Sequence, residues 1–166
     1  MTIGRRRFRR DRQGRYQPRL SKEERELLAE LPAQALELME EEDPSTRRLF
    51  PVAYPDDEAA EREYRALMGE SLLSRHRQAL DALAQGATAD ALDESELTQW
   101  MGALEVLRLV LGTQLDVRED MDRIDPSDPL APRFALYAWL SLLQEEVVEA
   151  LANSLPAGDG DGGAER

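Results

Sequence analysis

The chain predicts a mainly α fold: an antiparallel bundle of four to five helices with an N-terminal basic β-hairpin or extended arm. Three observations carry this. Leucines and other apolar residues recur at spacings of three and four through four long stretches. Helix-start chemistry stands in front of those stretches. The charge is split: residues 1–20 hold eight arginines against Asp11, and +7 there, in a total of −13, leaves −20 on residues 21–166.

Residues 5–20 place Phe8 and Tyr16 on either side of a turn-like Asp11–Gly14 stretch, with Gly14 able to supply a positive φ. Pro18 fits only an edge strand or a strand end. Ser21-Lys22-Glu23-Glu24 matches a capping box, in which serine and glutamate reciprocally satisfy free backbone donors. The first helix runs from there through Leu28, Leu31, Ala35 and Met39 to near Glu42. Pro32 predicts a kink or break inside it.

Residues 44–56 form a proline-punctuated connector whose Leu49, Phe50, Val52 and Tyr54 are expected to pack against the body. A second helix, Asp57 to Ala84, carries Ala60, Tyr64, Leu67, Met68, Leu72, Leu80 and Leu83 on a broad apolar face, and Gly69 is a place for it to bend. Asp93-Glu94-Ser95-Glu96 opens a third helix, with acids at the positive end of the dipole. Gly112, late in it, predicts close packing. An acidic connection over 116–131 is expected to hold a short turn around Met121–Ile124. Pro132 suits the first position of a fourth helix. That helix is apolar nearly all round from Phe134 to Leu143 and is therefore predicted to be the most buried. The chain divides as an Arg-rich hairpin or arm (1–20), a helical domain (21–156) and a Gly/Asp-rich disordered tail (157–166).

Composition narrows the chemistry. No cysteine is present, which removes disulfides, thiolate metal sites and thiol redox sensing from these residues. The one histidine, His76, rules out a multi-histidine metal site within one chain; between Arg75 and Arg77 it reads as part of a solvated face. No run of 18 or more apolar residues is present, and no apolar stretch follows the basic N-terminus, so the expectation is a cytoplasmic protein. The acids Asp116, Glu119, Asp120, Asp122, Asp125 and Asp128 fail the calcium-loop pattern: counted from Asp120, Asp125 stands where glycine is required. Trp100, Phe134, Tyr137 and Trp139 read as core. There is no phosphate loop, serine elbow or kinase set. No cofactor is expected.

Two stretches match a known pattern. One is Arg48-Leu49-Phe50-Pro51-Val52-Ala53-Tyr54-Pro55-Asp56-Asp57 with Tyr64-Arg65 downstream; the other is Leu107-Arg108-Leu109-Val110-Leu111-Gly112-Thr113-Gln114-Leu115. With the Arg-rich start and a closing Leu/Val helix, the chain over 5–155 resembles the actinobacterial DUF2017 family of AosR-like oxidative-stress transcription regulators. The resemblance implies a cytoplasmic regulator that works with an alternative sigma factor and RNA polymerase. The switch described for that family depends on paired cysteines, so thiol sensing does not carry over to this chain.

The functional expectation is a non-enzymatic, transcription-associated regulator acting through protein contacts. Arg5, Arg6, Arg7, Arg9, Arg10, Arg12, Arg15 and Arg19 are the candidate partner-binding residues, toward an acidic protein surface or the phosphates of nucleic acid. Folding of the arm back onto the acidic body is the bland alternative. Arg48, Phe50, Pro51, Tyr54, Asp56, Asp57, Arg65 and Arg108 are expected to be structural, with Asp56 or Asp57 pairing one of those arginines. The rival readings are an interaction scaffold or homodimer with no role in transcription and, least favoured, a hydrolase using Asp56 and Asp57.

Overall fold

The computed structural model describes residues 6–118 and 124–154. Arg5, most of the expected Met121–Ile124 turn and the tail from 157 lie outside them. The described residues form a two-stranded antiparallel sheet, four α-helices and one short 3₁₀ helix. Strand β1 (Phe8–Arg10) pairs with β2 (Tyr16–Pro18) in the register Phe8 to Pro18, Arg9 to Gln17, Arg10 to Tyr16. The helices are α1 (Lys22–Glu40), α2 (Glu58–Gly86), α3 (Glu94–Gln114) and α4 (Ala131–Ala152), and the 3₁₀ helix is Pro44–Leu49.

Local chemistry sets the starts. Ser21 completes both halves of the capping box with Glu24. Asp57 accepts from the Ala60 N–H, and Asp93 from the Glu96 N–H. In the hairpin loop Asp11 accepts the N–H groups of Gln13 and Arg15, while Gly14 takes a φ of 78°.

Burial corrects two expectations: a break at Pro32 and a central place for α4. Helix α1 runs unbroken through Pro32. The proline has no N–H for the Leu28 carbonyl, but its ring is fully buried, and that apolar burial offsets the lost bond. The central element is α3, not α4. Helix α3 packs against α1, α2, α4 and the 3₁₀ helix, and buries Leu97, Trp100, Ala103, Leu104, Leu107 and more, whereas α4 buries only Leu140, Leu143 and Val147. Apolar content all round α4 meets a bundle that covers one side of it, and Leu142 and Val148 stay exposed.

Helix α2 departs from expectation in its first half. Only Ala79, Leu80 and Leu83 are buried; Leu67 is 72% exposed and Met68 39%. At 29 residues α2 is about 44 Å long against about 28 Å for the 19-residue α1. Its N-terminal half meets the connector, with Tyr64 against Tyr54 and Glu61 on the Ala53 and Tyr54 N–H groups.

Candidate docking surfaces at the two ends

The basic segment is a folded hairpin, seated by its apolar residues. Phe8 and Tyr16 are buried, and Phe8 meets Trp100 edge-to-face with ring centroids 6.0 Å apart. Tyr16 exchanges two main-chain hydrogen bonds of 2.8 Å with Leu92, just beyond α2, so the outer edge of β2 is covered. Arg25, which the sequence reading missed, ties three elements together. It donates to the carbonyls of Ala87 (2.9 Å) and Ala89 (3.0 Å) at the end of α2 and of Pro18 (2.8 Å) in β2.

The hairpin arginines divide into two groups. Arg7 is consumed by the fold: it donates to Glu146 of α4 at 2.8 Å and lies 3.5 Å from Glu24 of α1. Burial lowers its pKa, yet the Glu146 hydrogen bond and the two carboxylate charges outweigh that and hold it above its ordinary value. Glu24 also accepts the Trp139 indole N–H at 3.3 Å and the Ser21 N–H at 2.8 Å, so one carboxylate joins hairpin, α1 and α4. Arg15 donates to the Ala91 carbonyl at 3.3 Å. Arg6 stands 3.9 Å from Glu149, an exposed pair of little energetic weight.

Arg9, Arg10, Arg12 and Arg19 form the second group: all are exposed, and none is ion-paired among the described residues. Arg6, Arg9 and Arg10 overlook a cavity of about 420 Å³ between the hairpin and the end of α4, closed by Glu146, Glu149, Asn153 and Ser154. The hairpin therefore leaves Arg9, Arg10, Arg12 and Arg19 exposed while Phe8 and Tyr16 are turned inward.

At the far end of α1 the connector is held by polar anchors. Glu61 of α2 accepts the N–H groups of Ala53 (3.0 Å) and Tyr54 (2.8 Å) and pairs with Arg65 at 3.0 Å. The Tyr54 N–H is the main reason its carboxyl sits below its ordinary pKa of 4.5; solvent loss opposes, and Arg65 and the Ala53 N–H assist. His76 is not on a solvated face. Its ring packs edge-to-face on Phe50 at 5.7 Å, and Nε2 lies 3.1 Å from the Leu49 carbonyl, which can only accept, so Nε2 carries the proton.

Other sequence-stretch residues fall into place around these anchors. The expected pairing of Asp56 or Asp57 with an arginine is replaced: Arg65 takes Glu61, Asp57 caps α2, and Asp56 is exposed. Arg48 is also exposed. Arg108 joins α3 to α4, donating to Ser141 (3.0 Å) and Gln144, with Glu105 at 3.5 Å and the Tyr137 ring at 5.8 Å. Gly112 packs as expected, since a Cβ there would lie 3.0 Å from Tyr137.

The connector only half follows its predicted packing. Leu49 is buried and Phe50 is partly covered, but Val52 and Tyr54 are 54% and 48% exposed. Phe50, Pro51 and Val52 form one wall of a groove of about 610 Å³, opposite Tyr64, Gly69 and Leu73 of α2. Among the described residues no three carboxylate or imidazole groups converge as a metal site. No helix among them is long and apolar enough to cross a membrane.

The family model described as "Domain of unknown function (DUF2017)" matches residues 5–151. The chain belongs to the DUF2017 family. A Mycobacterium leprae (strain TN) relative is 33% identical over 128 residues, 66% of this chain and 59% of the relative. "Oxidative stress regulator AosR" of Mycobacterium tuberculosis (strain ATCC 25618 / H37Rv) is 32% identical over 130 residues, 68% of this chain and 60% of the relative; the Mycobacterium bovis (strain ATCC BAA-935 / AF2122/97) protein of that name matches equally. The DUF2017 chain thus spans about three fifths of the length of these relatives. No solved structure matches it.

Proposed function

We propose that this DUF2017 member is a non-enzymatic, cytoplasmic, transcription-associated regulator that acts through protein contacts, with the hairpin arginines as its docking face. The observation that carries the reading is the separation within the hairpin: Arg7 is spent on the fold, while Arg9, Arg10, Arg12 and Arg19 stand free on a seated scaffold. A pre-positioned cationic face loses little entropy on meeting an acidic surface and speeds encounter with it. Family membership supports the regulatory half of the reading, and the resemblance makes RNA polymerase with a sigma factor the partner to test. Regulation here runs without a thiol switch in these 166 residues, since none of them is cysteine.

Deleting residues 1–20 is the wrong test, because it would uncover Trp100. The informative variant combines Arg9→Gln, Arg10→Gln, Arg12→Gln and Arg19→Gln. Polymerase and sigma factor should co-purify with the wild-type chain and be lost with this variant, at unchanged melting temperature. Equal recovery of polymerase by both proteins overturns the docking role of the hairpin. If the variant instead loses binding to duplex DNA, with a log–log salt slope near −0.9 per phosphate neutralised, the direct partner is nucleic acid.

A further inference from the structure

We infer that the crevice between α1 and α4, floored by α3, is a binding site for a single-chain fatty carboxylate, with the alkyl tail in the crevice and the carboxylate on Arg133. The inference stands independently of the hairpin's role. Helices α1 and α4 each pack on α3 but not closely on each other, which leaves a crevice of about 190 Å³. Eight of its eleven lining residues are leucine, valine or alanine, and Gln34, Gln114 and Arg133 are the rest. The floor belongs to the core: Leu107, Val110 and Leu111 of α3 are buried.

The crevice has a polar end and an apolar end. It follows a seven-residue step on each helix, Leu31 to Leu38, Leu107 to Gln114 and Arg133 to Leu140, which is about 10 Å. Gln114 is the last residue of α3 and Arg133 stands in the first turn of α4, and the guanidinium donates to the Gln114 side chain at 2.6 Å. Leu107 and Leu140 lie two turns further along their helices. A ligand matched to this lining has an apolar body about 10 Å long and one polar head.

Size and charge then choose among such ligands. A volume of about 190 Å³ over that length leaves a cross-section of roughly 20 Å², which suits an alkyl chain; a helix about 10 Å across needs roughly 80 Å². An extended peptide would leave its main-chain groups unpaired against leucines. Arg133 is the single charged residue on the lining, and no acid stands in the first turn of α4. Among the described residues the guanidinium has no carboxylate partner, only the neutral Gln114 amide. The cavity under the hairpin and the connector groove both mix arginines with carboxylates and so select no sign of charge. Here the sign is set: a carboxylate head can accept from Arg133 through two parallel hydrogen bonds.

The test titrates the full chain with hexanoate, octanoate and decanoate by calorimetry, with octanol and octylamine as the neutral and cationic counterparts, and follows leucine and valine methyl signals by NMR. Octanoate should bind saturably at one site and shift the methyls of Leu107, Val110 and Leu111. Affinity should rise about fourfold per methylene from hexanoate to octanoate, and octylamine should bind about tenfold more weakly than octanoate. Arg133 is exposed, so Arg133→Gln leaves the fold intact; it should weaken octanoate about tenfold and leave octanol unchanged. Leu136→Trp, at a half-buried position on the crevice wall, should weaken both. Absence of saturable binding, equal affinity for octanoate and octylamine, indifference to Arg133→Gln, or methyl shifts confined to other parts of the molecule overturns the inference. So does a glutamate-flanked leucine peptide of about eighteen residues that shifts the same methyls and binds more tightly than decanoate, which would give the crevice to a partner helix.

Discussion

The two ends of α1 invert each other's design. At the hairpin, aromatic side chains point inward and charge points out: Phe8 and Tyr16 are the anchors, and Arg9, Arg10, Arg12 and Arg19 face water. At the connector, polar groups join buried Leu49 as anchors while other apolar side chains stay out: Glu61 and His76 hold the main chain, and Val52 and Tyr54 are exposed. The difference teaches how a small bundle offers two unlike surfaces. Apolar burial with one ion pair, that of Arg7, seats the hairpin and leaves four arginines free, whereas hydrogen bonds to the backbone help hold a connector whose Val52 and Tyr54 stay uncovered.

The inversion predicts unequal responses to mutation. Phe8→Ala should have the largest effect, destabilising the whole fold by about 3 kcal/mol in urea unfolding, because it opens space against the fully buried Trp100. A loss below about 1 kcal/mol would mean that the hairpin is an appendage and not part of the core. Arg7→Ala should follow at about 1–2 kcal/mol, since it leaves Glu146 and Glu24 partly buried without their shared cation. Stability unchanged in that variant would erase the distinction between Arg7 and the free arginines.

The smallest effect belongs to the polar anchor. Folding lowers the Glu61 pKa, so the stabilisation it gives the connector is complete above about pH 4.5 and fades as pH falls through the lower folded value. Amide protection at Ala53 and Tyr54 should decline over that acid range while protection in α3 persists. Glu61→Gln should lower protection at those two amides at neutral pH and flatten the pH dependence. Protection at those two amides that is the same in Glu61→Gln as in the wild type would show that something other than Glu61 holds the connector.

Much of the hairpin end was legible in the sequence, and little of the connector end. Gly14, Pro18 and the paired aromatics mark a hairpin by local turn and strand chemistry. Nothing in the Arg-Arg-Arg run distinguishes Arg7 from its neighbours; that is decided by Glu146, 139 residues away. Arg25 was missed for the same reason, since its three carbonyl partners lie on the hairpin and beyond α2. At the connector, helical spacing placed Leu67 and Met68 on an apolar face but could not tell whether any neighbour reached far enough to cover it. His76 between two arginines looked solvated because its true neighbours, Leu49 and Phe50, are remote in sequence.

By itself the sequence determined the mainly helical class, the starts of α1, α2 and α3 and the sign of charge at the N-terminus. Each of those follows from groups within about one helical turn or one tight turn of one another. Only tertiary structure decided that α3 and not α4 is central, that Pro32 is tolerated, which arginine is spent on the fold and which apolar residues stay uncovered. Burial depends on which neighbours pack against each face, and a side chain's countercharge is chosen by proximity in space, which spacing along the chain does not encode.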